Sequence, residues 1–276
     1  MGKQAIVSPR ERSLVMQLSS VLGIIEGRKR RTSRVMREQP PDNAKDVFYW
    51  WHEDLPKEAC TDSGCYYWCP SGLRMIPCPY GEPGDLLWVK EAWRPRSWSE
   101  YGYGQIEYMD GVVRSVEGGE DWTFNRMFPA SRTDPDAWRS PRFMPRFASR
   151  LTLRITEITV QRLQDISEED AVQEGVARLF SERECSAVVG IAGTRPADHG
   201  YENYLWHGHV GRGLSQKQAD SWPYQFSNYD AARGSFSSLW EKINGPRGHG
   251  WSHNDWIWGI RFKIEELKYK SSGRQP

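Results

Sequence analysis

Near the end of the chain, Trp256, Trp258, Ile260, Phe262 and Ile264 fall on every second position, with Ile257, Gly259, Arg261 and Lys263 between them. A period of two places one set of side chains on one face of a strand, so this segment is constrained to be a strand with an apolar face to bury. A second such segment runs from Arg150 to Leu163, where Leu151, Leu153 and Ile155 alternate with Thr152, Arg154 and Thr156. There the phase slips at Glu157, and Ile158 and Val160 carry the apolar face onward, which predicts a bulge within the strand. Leu86, Leu87, Trp88 and Val89 follow the turn signal Pro83-Gly84-Asp85 and read as a buried strand ending at Lys90 and Glu91.

Helical signals are short. Ser13 to Ser19 reads as a strand, after which Ser19 or Ser20 caps a helix carrying Val21, Leu22, Ile24 and Ile25, with Gly27 as its left-handed terminator. Ser167 with Asp170 resembles a capping box ahead of Ala171 and Val172. Phe236, Leu239, Trp240 and Ile243 form a helical stripe stopped by Asn244-Gly245-Pro246. Other stretches lack periodicity. Pro40 to Pro83 is irregular, Arg94 to Pro141 reads as an insertion with one hairpin, and Phe180 to Arg233 reads as another insertion. Long loops without structure of their own are commonly functional or disordered. The expectation is one α+β domain over residues 1–276: a small mixed sheet closed as a barrel, a few short helices, insertions at about 40–80, 94–140 and 180–233, and a disordered tail at 268–276.

Charge narrows the function classes. Lys plus Arg number 37 and Asp plus Glu 36, for a net charge of +1, so attraction to nucleic acid must come from local patches rather than from the whole molecule. The 14 Trp, 12 Tyr and 9 Phe argue against disorder over most of the chain and offer stacking partners to a flat ligand. No apolar run approaches the roughly 18 residues of a membrane span, and no secretory signal precedes residue 12, so a cytoplasmic location is expected. Five Cys, an odd number, then suggest reduced thiols or a metal site rather than disulfides.

The densest basic patch is local. Six of the ten residues from Arg28 to Arg37 are cationic and none is acidic. Within it stands Gly27-x-Lys29-x-x-Thr32-x-Arg34, following a strand and a helix. This pattern resembles the hallmark of the ASCH branch of the PUA-like superfamily, and all four fixed positions match. Cys78-Pro79-Tyr80-Gly81-Glu82-Pro83-Gly84-Asp85 leading to Trp88-Val89-Lys90-Glu91-Ala92-Trp93 is similar to long phage and prophage members of that family. So are Met144 to Arg150, Leu163 to Ala171, and Leu239-Trp240-Glu241 with Asn254 to Trp258. The likeness covers about half the chain, in order. It implies a PUA-like small β-barrel whose cleft faces RNA or a modified nucleobase, in a bacterial or phage-infected cytoplasm. A few small members hydrolyse N-acetylated cytidine with a Lys and a Thr of the hallmark and a later Glu, and the matching positions are Lys29, Thr32 and Glu91.

The chemistry is consistent with those residue types. Amide hydrolysis needs a nucleophile, a base and a proton donor for the leaving nitrogen. Thr32 has a hydroxyl, and Lys29 can act as base only if desolvation or the neighbouring Arg28, Arg30, Arg31 and Arg34 lower its pKa. Binding without catalysis needs less: Arg28, Arg31 and Arg34 on phosphate, and aromatics such as Trp93 under a base. Arg139, Arg142, Arg146, Arg150 and Arg154 form a second basic series with Phe143 and Phe147 interleaved, an arrangement compatible with single-stranded nucleic acid. RNA is the expected partner ahead of DNA, with a modified nucleoside or a host protein as alternatives, and no membrane. No cofactor is required by this reading. Cys60, Cys65, Cys69 and Cys78, separated by four, three and eight residues, could hold a structural zinc, with His52 as a substitute ligand. His207-x-His209 is a weaker metal pair, and Asp165, Glu168, Glu169 and Asp170 are expected to serve a helix dipole.

Overall fold

The computed structural model describes residues 9–50, 63–118, 136–176 and 232–268. Strands dominate, with a few helices, giving a mixed α+β architecture in three sheets. The central sheet has five strands in the order β1 (Glu11–Val15), β6 (Leu86–Lys90), β10 (Leu151–Arg162), β11 (Trp256–Leu267) and β2 (Arg31–Val35). β1 and β6 run parallel, and the other neighbours are antiparallel. None of the sheets closes into a barrel among the described residues, and β1 and β2 form the two edges of the central one.

The two alternating segments of the sequence are the longest strands and each other's neighbours, with Ile158 opposite Ile260. The phase slip is real: the register shifts between Ile155 and Glu157, the extra residue letting Ile158 return to the core. Leu14, Leu87, Val89, Leu153, Ile155, Trp258 and Ile260 fill that core, joined by Val21 and Ile24 of α1 (Leu18–Ile25). The first strand is shorter than expected. Leu18 begins the helix from an N-cap at Gln17 that makes no side-chain bond, so neither serine caps it. Gly27 does take the left-handed conformation, at φ +77°.

Two stretches expected to be irregular are sheets. β3 (Lys45–Trp50), β4 (Gly64–Cys69) and β5 (Gly72–Pro77) form a meander within 40–80. In β4, Cys65 and Tyr67 enter the central core while Tyr66 packs with Trp50 on the other side. Burial on both faces removes the alternation that would have announced the strand. β7 (Trp93–Trp98), β8 (Tyr103–Tyr108) and β9 (Val113–Glu117) make three strands where one hairpin was expected, around Trp93, Trp98, Ile106, Tyr108, Met144 and Ala148. Residues 177–231 and 269–276, with the third insertion and the tail, lie outside the described residues.

A last cluster covers the end of the central sheet. α2 (Glu168–Gln173) starts at Ser167, whose hydroxyl accepts from the Asp170 N–H as the sequence predicts. α3 (Ala232–Asn244) lays Phe236 and Trp240 against Leu163, Ile166, Ala171 and Ile257. No described helix is long and apolar enough to cross a membrane.

Candidate functional site

A cavity of about 630 Å³ opens beside the edge strand β2, between the β1–α1 junction and α3. That volume lies within the range of about 300–1,000 Å³ usual for ligand pockets. Lys29, Thr32, Ser33, Arg34 and Glu174 form its polar side, and Phe236, Leu239 and Trp240 of α3 its apolar side, with Tyr80, Arg247 and His249 also in the lining.

Local structure places the lysine. After Gly27 reverses the chain, the Lys29 N–H donates to the Gly23 carbonyl at 2.8 Å and the Arg30 N–H to the Gln173 carbonyl at 2.9 Å, clamping the loop between α1 and α2. Gly175 ends the α2 turn at φ +82°, and a Cβ there would sit 2.8 Å from the Lys29 Cβ. Glycine thus provides both the left-handed turn and the close approach. Lys29 is only 6% exposed, and its ammonium donates to the Glu174 carbonyl at 2.7 Å and to Glu174 Oε2 at 2.8 Å. Glu174 Oε1 accepts from the Ser33 hydroxyl at 2.6 Å. Burial pushes the Lys29 pKa below the usual lysine value; the Glu174 pair opposes this, and Arg34 and Arg31 add to it.

Three other lining residues, Arg34, Trp240 and His249, are held by hydrogen bonds. Arg34 donates from Nη2 to the Val15 carbonyl at 2.8 Å, while its buried Nε has no partner among the described residues. Trp240 is anchored by its ring N–H on the His249 carbonyl at 2.8 Å. The His249 Nδ1–H donates to Asp255 Oδ2 at 2.8 Å.

Of the sequence-predicted site, Lys29, Thr32 and Arg34 come together and the others do not. Glu91 is 2% exposed and outside the lining; Arg150 grips its two oxygens at 2.8 and 2.7 Å and also reaches Asp110 at 2.8 Å. Burial pushes the Glu91 carboxyl above the usual range, and the Arg150 fork draws it back only in part. Its partner Arg150 is therefore a tie between the third sheet and the central one, not a phosphate ligand. Arg146 pairs with Glu11, Arg154 with Glu265, and Arg28 with Glu26. Arg142 and Arg146 sit in 3₁₀ turns, so the second basic series is not an extended ribbon. Trp93 is core, covered by the Arg139 guanidinium, and offers no face to a base.

Arg31 is buried too, and pairs with Asp170, which Arg261 also reaches at 2.7 Å. Asp170 thus fastens α2 to β2 and β11 rather than serving only a dipole. Burial opposes its ionisation, but Arg31 and Arg261 outweigh burial and hold its pKa below the ordinary 3.8. A depressed carboxylate pKa gives stability that is complete above the unfolded value and lost as pH falls through the folded one. Urea midpoints between about pH 5 and 2 should fall steeply for the parent and less steeply for Asp170→Asn. Equal slopes would deny Asp170 this part.

Among the described residues, Cys65, Cys69 and Cys78 of the expected zinc set form no metal-holding group. Cys65 and Cys78 are buried in the core, where desolvation raises their thiols to about 12 and about 11, and the half-buried Cys69 lies against Ser71 and the Gly72 carbonyl. Among the described residues no group of His, Cys, Asp or Glu could hold a metal ion. Cys60, His52, His207 and His209 lie outside those residues.

Glu174, Ser33, Arg247 and His249 were missed. A buried lysine signals that it needs a carboxylate, but nothing in the sequence selects Glu174 as the one. The helical stripe of Phe236, Leu239 and Trp240 was legible, though as core rather than as a cavity wall. Compared with protein-family models, with curated proteins and with solved structures, the chain matches none.

Proposed function

We propose that the cavity receives a nucleobase, presented by single-stranded RNA or as a modified nucleoside, within a PUA-like architecture of the phage type working in a bacterial cytoplasm. The observation that carries this reading is that one hollow is edged both by apolar α3 side chains, the largely buried Phe236 and Trp240 with the half-buried Leu239, and by a polar side made of Thr32, Ser33, Lys29 and Glu174. A base has a flat apolar face and an edge of donors and acceptors, and needs both kinds of surface at once. The five sequence blocks similar to the ASCH family point the same way. Anisotropy of a labelled single-stranded oligoribonucleotide tests it. Binding should weaken with salt, and Arg34→Gln should lower affinity about tenfold and reduce the salt slope by about one. No binding at low salt overturns the reading.

One observation favours a second reading: Lys29, its pKa lowered by burial, shares the lining with the Thr32 hydroxyl. On this reading the chain removes an acyl group from N-acylated cytidine, with Glu174 as the carboxylate in place of Glu91. Acetate release from N-acetylated cytidine supports it, and its absence in the parent protein removes it.

A further inference from the structure

We infer that Arg34 and Arg247 form a clamp for a phosphate group, so that the cavity selects a phosphorylated nucleotide over the free nucleoside. This inference rests on the nucleobase reading and names its substrate class.

Three cations and one carboxylate line the cavity: Lys29, Arg34 and Arg247 against Glu174. Glu174 is already occupied by Lys29 and Ser33. Arg34 has no carboxylate within ion-pair distance among the described residues; its one partner is the Val15 carbonyl. Arg31 and Arg150, by contrast, are matched with carboxylates in the interior. Leaving a partly buried guanidinium without an anion is unfavourable unless a ligand supplies one.

The backbone at Arg247 is set by the end of α3, and the residue is exposed. Its 3₁₀ turn, Gly245–Arg247, closes at Gly248 with φ +82°. A Cβ on Gly245 would lie 2.5 Å from Glu241 Oε1, so the glutamate packs over the turn, where its Oε2 accepts from the Trp251 N–H at 2.7 Å. The neighbouring acid Asp255 is taken by His249. Both carboxylates nearest Arg247 in sequence are thus committed elsewhere, and among the described residues Arg247 has no ionic partner. Arg34 and Arg247 line the same cavity, near enough for the Arg247 charge to bear on Arg34. Two like-charged forks on one hollow are relieved by an anion that both can grip, and phosphate oxygens match guanidinium geometry.

The phosphate could belong to a free nucleotide or to an RNA phosphodiester. Calorimetry with the four ribonucleosides, their 3′- and 5′-monophosphates and the corresponding dinucleotides separates these. In the parent protein a monophosphate should bind at least about tenfold tighter than its nucleoside, about 1.4 kcal/mol. Should only the dinucleotide show that gain, the source is a phosphodiester and the clamp stands. Arg247→Gln should bring the ratio towards one, while Arg37→Gln, exposed and outside the cavity, should leave it unchanged. Equal affinities of phosphorylated and free forms, or a ratio unmoved by Arg247→Gln, overturn the clamp and leave the nucleobase reading standing. Failure of every ligand to bind overturns both.

Discussion

Arg150→Met should lower the unfolding free energy by about 3–5 kcal/mol, the range found when one partner of a buried ion pair is removed. The guanidinium is fully enclosed and answers two carboxylates, Glu91 and Asp110, while lying 4.2 Å from the centre of the Tyr108 ring. Without it, two acids face each other in the interior with nothing to offset their charge. The third sheet is also fastened there, since Asp110 lies in the turn between β8 and β9 and the Tyr108 hydroxyl donates to the Ala148 carbonyl at 2.8 Å. Urea unfolding checks this directly. Removing both ends of the fork, in Glu91→Met with Arg150→Met, should recover part of the loss, because the desolvation penalty of the orphaned Glu91 charge disappears with it. A single-variant loss below about 1 kcal/mol would mean that the pair is exchanged for water at little cost.

The second large effect falls on the cavity. Lys29→Met should also cost about 3–5 kcal/mol, since it leaves the Glu174 carboxylate buried with only the Ser33 hydroxyl to satisfy it. It should remove ligand binding as well, because Glu174 would no longer be held to the cavity's polar side. Adding Glu174→Gln to Lys29→Met separates the two consequences. Stability should partly return as the unpaired charge is removed, while binding stays lost. Recovery of binding together with stability would show that the lysine acts only by holding the fold.

What the sequence disclosed and withheld follows from how each side chain meets its surroundings. β10 and β11 were legible because one face of each carries the core, and even the bulge near Glu157 left its trace as a phase slip. Gly27 and Ser167 were legible because their roles are local: a left-handed terminator and a hydroxyl three residues from its N–H. β4 was hidden because both of its faces are covered. The arginines misled most. A run of cations reads alike whether it faces solvent, as Arg28 does, or an interior acid, as Arg31 and Arg150 do. Which of them meets a carboxylate is decided by chain crossings that no local pattern encodes, such as the 59 residues separating Arg150 from Glu91. Lys29, Thr32 and Arg34 stand close together in the sequence and line one hollow, while nothing near them in the sequence signalled that Glu174 would join them or that Glu91 would lie elsewhere.

A crystal structure of the protein soaked with a ribonucleoside monophosphate tests the central claim most directly. The base should lie in the hollow between the Trp240 wall and the Thr32–Ser33 side, with its phosphate between Arg34 and Arg247. Density for the nucleotide on any other surface, with this hollow holding only solvent at saturating ligand, would contradict the account.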